Sequence, residues 1–149
     1  MAILSDQVKR QLQERFAEHL SGPVQLTLYT RPGTGRLILP SGLGCQTCDD
    51  ARQLAEELQE AAPDLVHLRV VDVSAEDSDV ADVPTLTLGF SGEAPRIRWQ
   101  GLPAGYEFAT VVDAVERVSS GAHGLADETV EALGRLTEPV DVMVFATPT

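Results

Sequence analysis

The chain of 149 residues carries a formal net charge of −12, with 43% hydrophobic and 23% charged residues. This is one domain's worth of sequence, long enough to bury a core. So acidic a chain has little with which to neutralise phosphates, which argues against nucleic acid as a partner, and no apolar run approaches a membrane span.

The opening stretch "MAILSDQVKRQLQERF" lacks the unbroken apolar block of a signal peptide, so the expected setting is the cytoplasm. Leu4, Val8, Leu12, Phe16 and Leu20 recur every four residues and predict an amphipathic helix over 5–20, with Ser5 as its N-cap and Gly22-Pro23 as its stop. "VQLTLYT" (24–30) alternates and is rich in strand formers. Residues 31–44 hold four glycines and two prolines and read as a loop. From Cys45 or Cys48 the pattern turns helical, with Ala51, Leu54, Ala55, Leu58 and Ala62 on one face and Pro63 as the end.

"LVHLRVVDV" (65–73) reads as a strand of the kind buried on both sides of a parallel sheet. The acidic stretch 74–82 predicts a turn or a short helix. "PTLTLGF" (84–90) and "PRIRWQ" (95–100), joined by "SGEA", predict a hairpin. A helix over 105–118 follows, with Phe108, Val111, Val112 and Val115 inward. A glycine-containing link, a helix near 127–136 and a strand over 139–146 complete the chain.

This order gives a parallel βαβ unit, then an antiparallel hairpin and a helix. It is the thioredoxin-like α/β core, a four-stranded mixed sheet flanked by helices, here with an extra N-terminal helix and a C-terminal helix–strand extension.

Both cysteines of the chain, Cys45 and Cys48, fall where the first core strand gives way to its helix. The thiolate is the reactive form of cysteine. A helix N-terminus favours it through unpaired N–H groups and the positive end of the helix dipole. Cys45 is then the expected attacking thiol and Cys48, one turn deeper, the resolving one. Asp49 and Asp50 suit a first helical turn but oppose thiolate formation, and Arg31 or Arg36 would offset them if the loop folds back. Two other readings stand beside the redox one. A metal site needs four ligands, and His19, His67 and His123 are scattered without ligand spacing. Two small buried residues are the plainest alternative.

Val83-Pro84 is the second element. A proline opening a core strand forfeits a ladder hydrogen bond. In the thioredoxin-like core the equivalent bond is cis and lies against the cysteine pair, which leaves the preceding backbone able to bind an incoming chain as an added strand.

Several stretches together resemble the two-domain, glutaredoxin-like protein disulfide oxidoreductases. "LSDQVKRQLQERF" with "PVQL" is similar to that family's opening helix and strand, "CQTC" to its first cysteine pair and "DVPTLTL" to its cis-proline strand. "WQGLPAGYEFATVVDAV" is similar to its fourth strand, loop and next helix, and "PVDVMVFATPT" to the strand that opens its second half. A more distant resemblance is to the N-terminal domain of the alkyl hydroperoxide reductase flavoprotein. Residues 31–44 depart from the family, whose members pass from strand to cysteines in a few residues. The insertion puts Leu37, Ile38 and Leu39 near the active site, to bind a partner, to cover the thiols or merely to form a tolerated surface loop.

The resemblance implies a protein disulfide oxidoreductase that needs no cofactor of its own. Cys45 and Cys48 would be catalytic, with Val83 and Pro84 holding the substrate. The implied partners are disulfide-containing proteins, with an NADPH-dependent flavoprotein reductase, small thiols or a peroxiredoxin as electron donors or acceptors. The competing reading is a binding or assembly module that keeps the fold with little turnover. At the chain end, "PVDVMVFATP" (139–148) matches "PVQLTLYTRP" (23–32) in its prolines, valine, apolar alternation and aromatic residue. Residues 1–120 therefore read as the thioredoxin-like domain and 121–149 as the start of a second repeat. Residues 139–146 are expected to extend the sheet or to pair with a second copy, giving a homodimer through the C-terminal strand.

Overall fold

The computed structural model describes residues 3–32, 44–75 and 77–146. Its elements are α1 (Asp6–His19), β1 (Val24–Thr30), α2 (Cys48–Ala61), β2 (Val66–Asp72), β3 (Thr85–Phe90), β4 (Ile97–Gln100), α3 (Tyr106–Ser120) and α4 (Asp127–Gly134). The four strands form one sheet in the order β2-β1-β3-β4. β1 is parallel to β2 and antiparallel to β3, and β3 is antiparallel to β4.

Local sequence accounts for the elements that position the site. The Ser5 hydroxyl accepts the Val8 N–H at 3.3 Å and caps α1. The period-four stripe of α1 buries Leu12 and Phe16, each contributing about 1.5–3 kcal/mol of hydrophobic stabilisation. β1 alternates strictly, with Val24, Leu26, Leu28 and Thr30 buried and the residues between them half-buried. α3 ends where Gly121 adopts φ +71°, a left-handed C-cap that its missing Cβ permits.

One core joins three helices to one face of the sheet. Leu12 and Phe16 of α1, Ala51, Ala55 and Leu58 of α2, and Val111, Val112 and Val115 of α3 pack on Val24, Leu26 and Leu28 of β1 and on Leu86 and Leu88 of β3. Strand parity places Gln25, Thr27 and Tyr29 on the opposite face, where Val71, Thr85 and Thr87 are also buried but lie outside the cluster that the helices form with the sheet. Among the described residues no helix packs there, and none is long and apolar enough to cross a membrane.

Three expectations need correction. β2 is an edge strand rather than one buried on both sides. Val66 and Val71 are buried, one on each face, but Leu68 and Val70 on the helix-covered face are only half-buried and Arg69 is exposed, because no strand flanks β2 on its outer side. The last helix stops at Gly134, where glycine forfeits helix propensity. Residues 139–146 form no strand. Strand formers alone do not make a strand; the backbone groups need a partner ladder, and neither sheet edge pairs with this segment. Its side chains stand in solvent, from Val140 at 66% exposure to Phe145 at 92%. The glycine-rich stretch 31–44 lies outside the described residues apart from Arg31, Pro32 and Gly44.

Candidate functional site: a disulfide at a helix start

β1 runs through the middle of the sheet, and its C-terminal end delivers the chain towards α2. Thr47 is the N-cap of α2 without a side-chain capping bond, and the Ala51 N–H donates to the Thr47 carbonyl at 2.9 Å as the first helical bond. Cys48 is the first helical residue and Cys45 lies on the extended lead-in. The two are joined as a disulfide with Cα atoms 5.5 Å apart. Cys48 is buried at 1% exposure, whereas Cys45 is half-exposed. A reagent in solvent therefore meets one sulfur of the pair before the other. Asp49 and Asp50 occupy the first turn of α2 and are exposed.

The proline-bearing strand starts at the same end of the sheet. Tyr29 of β1 pairs with Thr85 of β3, so Thr30 and Pro84 are the next positions along the ladder. The Val83–Pro84 peptide is cis. Pro84 is buried, and its carbonyl accepts the Gly101 N–H at 2.8 Å. Thr85, fully buried, donates from Oγ1 to the Asp82 carbonyl at 2.7 Å and pins the approach to the strand. Val83 is half-exposed, and no hydrogen bond among the described residues engages its backbone. Sequence reasoning did not single out Thr85; its only signal was its place directly after a strand-opening proline.

The histidines stand apart from this end. His19 Nδ1 lies 2.9 Å from the Arg15 carbonyl, His67 Nδ1 lies 3.4 Å from the Ser91 hydroxyl, and His123 Nδ1 accepts the Leu125 N–H at 3.0 Å. At the end of β2, Asp72 has a carboxyl held below the usual aspartate range. Hydrogen bonds from the Ser74 hydroxyl and then the Ser74 backbone N–H to its carboxylate are the cause. Arg31 directly follows β1 and is half-exposed, while Arg36 lies outside the described residues.

A mixed sheet in this strand order, a Cys-x-x-Cys disulfide at the start of the first core helix and a cis proline opening the third strand define a thioredoxin-like domain. No family model matches the chain, and no curated protein does. Among solved structures it is similar to a protein disulfide oxidoreductase from Aeropyrum pernix K1, at 32% identity and a TM-score of 0.72. That match covers 91% of this chain and 56% of the archaeal one, so the chain spans little more than half the length of that relative. The alkylhydroperoxide reductase AhpF from Enterococcus faecalis V583 matches at 18% identity and a TM-score of 0.68, over 89% of this chain and 61% of that one. A structure of the N-terminal domain of the same reductase matches at 17% identity and a TM-score of 0.66, over 86% of this chain and 58% of that one. The latter two share the fold. The resemblance to protein disulfide oxidoreductases drawn from the sequence motifs is matched in three dimensions by the archaeal structure.

Proposed function

We propose that this chain exchanges protein disulfides through Cys45 and Cys48. The observation that carries the reading is the asymmetry of the pair: one disulfide, one sulfur half-exposed and the other buried at the start of α2. In the reduced protein the Cys45 thiolate attacks a substrate disulfide. A Cys45–substrate bond forms, and the displaced substrate sulfur leaves as a thiolate. The Cys48 thiolate then attacks Cys45, which releases the second substrate sulfur and regenerates the disulfide described above. Two electrons pass from the pair to the substrate, and the reverse sequence oxidises a dithiol. In this reading Val83 and Pro84 hold the substrate, which lies along the unengaged Val83 backbone as a short added strand.

Disulfide-containing proteins are the substrates we infer, with an NADPH-dependent flavoprotein reductase, small thiols or a peroxiredoxin at the other end of the electron path, in a cytoplasmic setting. We assign the exchange to residues 1–120 and read 121–149 as a segment whose sequence resembles the start of a second repeat. In support, α4 buries none of its residues. Self-association through this C-terminal segment belongs to the same reading.

Insulin reduction by dithiothreitol, with and without the protein, tests the proposal. Wild type is expected to accelerate precipitation of the insulin B chain, and Cys45→Ser to abolish the acceleration. Equal rates with the two proteins would overturn it in favour of a binding or assembly module.

A further inference from the structure

β4 ends the sheet on one side, and its outer edge pairs with no strand among the described residues. The Gly101 N–H donates to the Pro84 carbonyl at 2.8 Å, so in the antiparallel alternation Ile97 and Trp99 turn their backbone groups towards β3. Those of Arg98 and Gln100 point outward, and no hydrogen bond among the described residues engages them. Ile97 and Trp99 pair with Leu88 and Leu86 and are half-buried on the helix-covered face. Beside them a cavity of about 570 Å³ separates the strand from α3, with Leu88, Phe90, Ala94, Ile97 and Val118 in its lining. Arg98 and Gln100 are exposed. Residues 95–101 hold two arginines, Arg96 and Arg98, and no carboxylate.

The same chain carries an unpaired segment of complementary pattern. Val140, Val142 and Val144 alternate with Asp141, Met143 and Phe145, and all but Asp141 are large exposed hydrophobics. Exposed apolar surface of this kind marks an interaction site. Residues 138–146 carry Glu138 and Asp141 and no base, the counterpart of the two arginines. Charge also chooses between the two edges of the sheet. β2, the other edge, follows Asp64 and ends on Asp72, and its Arg69 already has a partner. Arg98 in the middle of β4 discourages this edge from pairing with its own copy, because like charges would meet. An acidic strand meets no such barrier.

We propose that residues 139–146 of a second copy add to the outer edge of β4, each chain of a two-fold dimer giving this segment to the other's sheet. The reciprocal exchange closes on itself, as a two-fold interface must. The inference rests on the self-association of the preceding section and names the edge that accepts it. The segment lies antiparallel, the more stable pairing. Its valines continue the row of Ile97 and Trp99 over the cavity, and Asp141 falls on the opposite face within reach of Arg98. Asp141 and Met143 then turn their backbone groups to the open edge, where those of Arg98 and Gln100 await partners.

Sedimentation velocity over a concentration series, at low and high salt, tests the proposal with the full chain. Wild type is expected to dimerise, more weakly at high salt because Arg98 and Asp141 are screened. Met143→Pro removes a backbone donor that the added strand needs and should abolish the dimer, whereas Met143→Ala should retain it. Arg98→Glu and Asp141→Arg should each raise the dimer dissociation constant at least about tenfold, since like charges then face each other. Combining the two in one chain should restore association. Circular dichroism checks that each variant stays folded, and Met143 is already exposed in the single chain. A dimer indifferent to Met143→Pro, or a folded double variant that stays dissociated, would sink the β4 edge while leaving self-association standing. A monomeric wild type, including one with the segment closed on its own sheet, would overturn both. Insulin reduction run alongside separates these outcomes from the thiol chemistry, because none of the substitutions touches Cys45, Cys48, Val83 or Pro84.

Discussion

Ser119, near the end of α3, and Gly22, in the link before β1, hold each other by both backbone and side chain. The Ser119 hydroxyl donates to the Gly22 carbonyl at 2.6 Å and accepts the Gly22 N–H at 3.1 Å and the Ser21 N–H at 3.0 Å. Ser119 is buried at 4% exposure, so losing the hydroxyl strands groups that water does not readily reach. Ser119→Ala is expected to lower stability by about 1–3 kcal/mol, read as a shift in urea midpoint with an unchanged slope. Insulin reduction should be unaffected.

The same junction forbids a side chain at Gly22. A Cβ built there lies 2.7 Å from Cε2 of Phe90 and 2.9 Å from the Ser119 carbonyl oxygen. The aromatic ring can shift, but the backbone carbonyl is fixed by α3. Gly22→Ala should therefore destabilise by about 1–3 kcal/mol through overpacking, measured by thermal unfolding. A variant as stable as the parent would show that the junction relaxes.

Glu57 is a buried carboxylate that fastens α2 to the entry of α1. It accepts the Ile3 N–H at 3.2 Å and the Leu4 N–H at 3.0 Å, and Lys9 Nζ lies 3.2 Å from it. Glu57→Ala removes all three at once and is expected to cost about 1.5–3 kcal/mol, the range for hydrogen bonds to a charged group. Amide exchange over residues 3–9 should quicken while that of β1 does not.

Exposure sets the order in which the thiols react. In the reduced protein, iodoacetamide should modify Cys45 well before Cys48, as peptide mass spectrometry would show. Cys48→Ser should trap a Cys45 mixed disulfide with substrate, and Cys45→Ser should trap none. Equal labelling of the two cysteines would remove the basis for their separate roles.

The depressed carboxyl of Asp72 sets an acid limb. Its folded pKa lies below the unfolded value because Ser74 hydrogen bonds favour the ionised form. Its contribution is therefore complete above the unfolded pKa and is lost as pH falls through the folded one. An NMR titration should place the Asp72 midpoint below the ordinary aspartate value, and Ser74→Ala should move it back up.

Short-range signals made much of this legible. The four-residue spacing of Leu12 and Phe16 located α1, the alternation of "VQLTLYT" gave β1 to its last residue, and the cysteine spacing marked the start of α2. What escaped depended on contacts distant in sequence. Glu57 looks like any solvated helical glutamate until residues 3 and 4 arrive from the other end of the domain. Which faces of β2 would be covered was set by where three helices settle. "PVDVMVFA" carries the apolar pattern of β1 without the neighbours that make β1 a strand.

The central place of β1 also bears on how this chain tolerates change beside its thiols. β1 is gripped by two neighbouring strands, and α2 is seated by Leu54, Ala55 and Leu58. Neither anchor draws on the connection between Thr30 and Cys48. Lengthening such a connection costs only about 0.6 kcal/mol of closure entropy per doubling. The stretch over 31–44 could therefore be acquired and rewritten without endangering the fold, making it the part of the molecule where new substrate preferences can be tried at little structural risk.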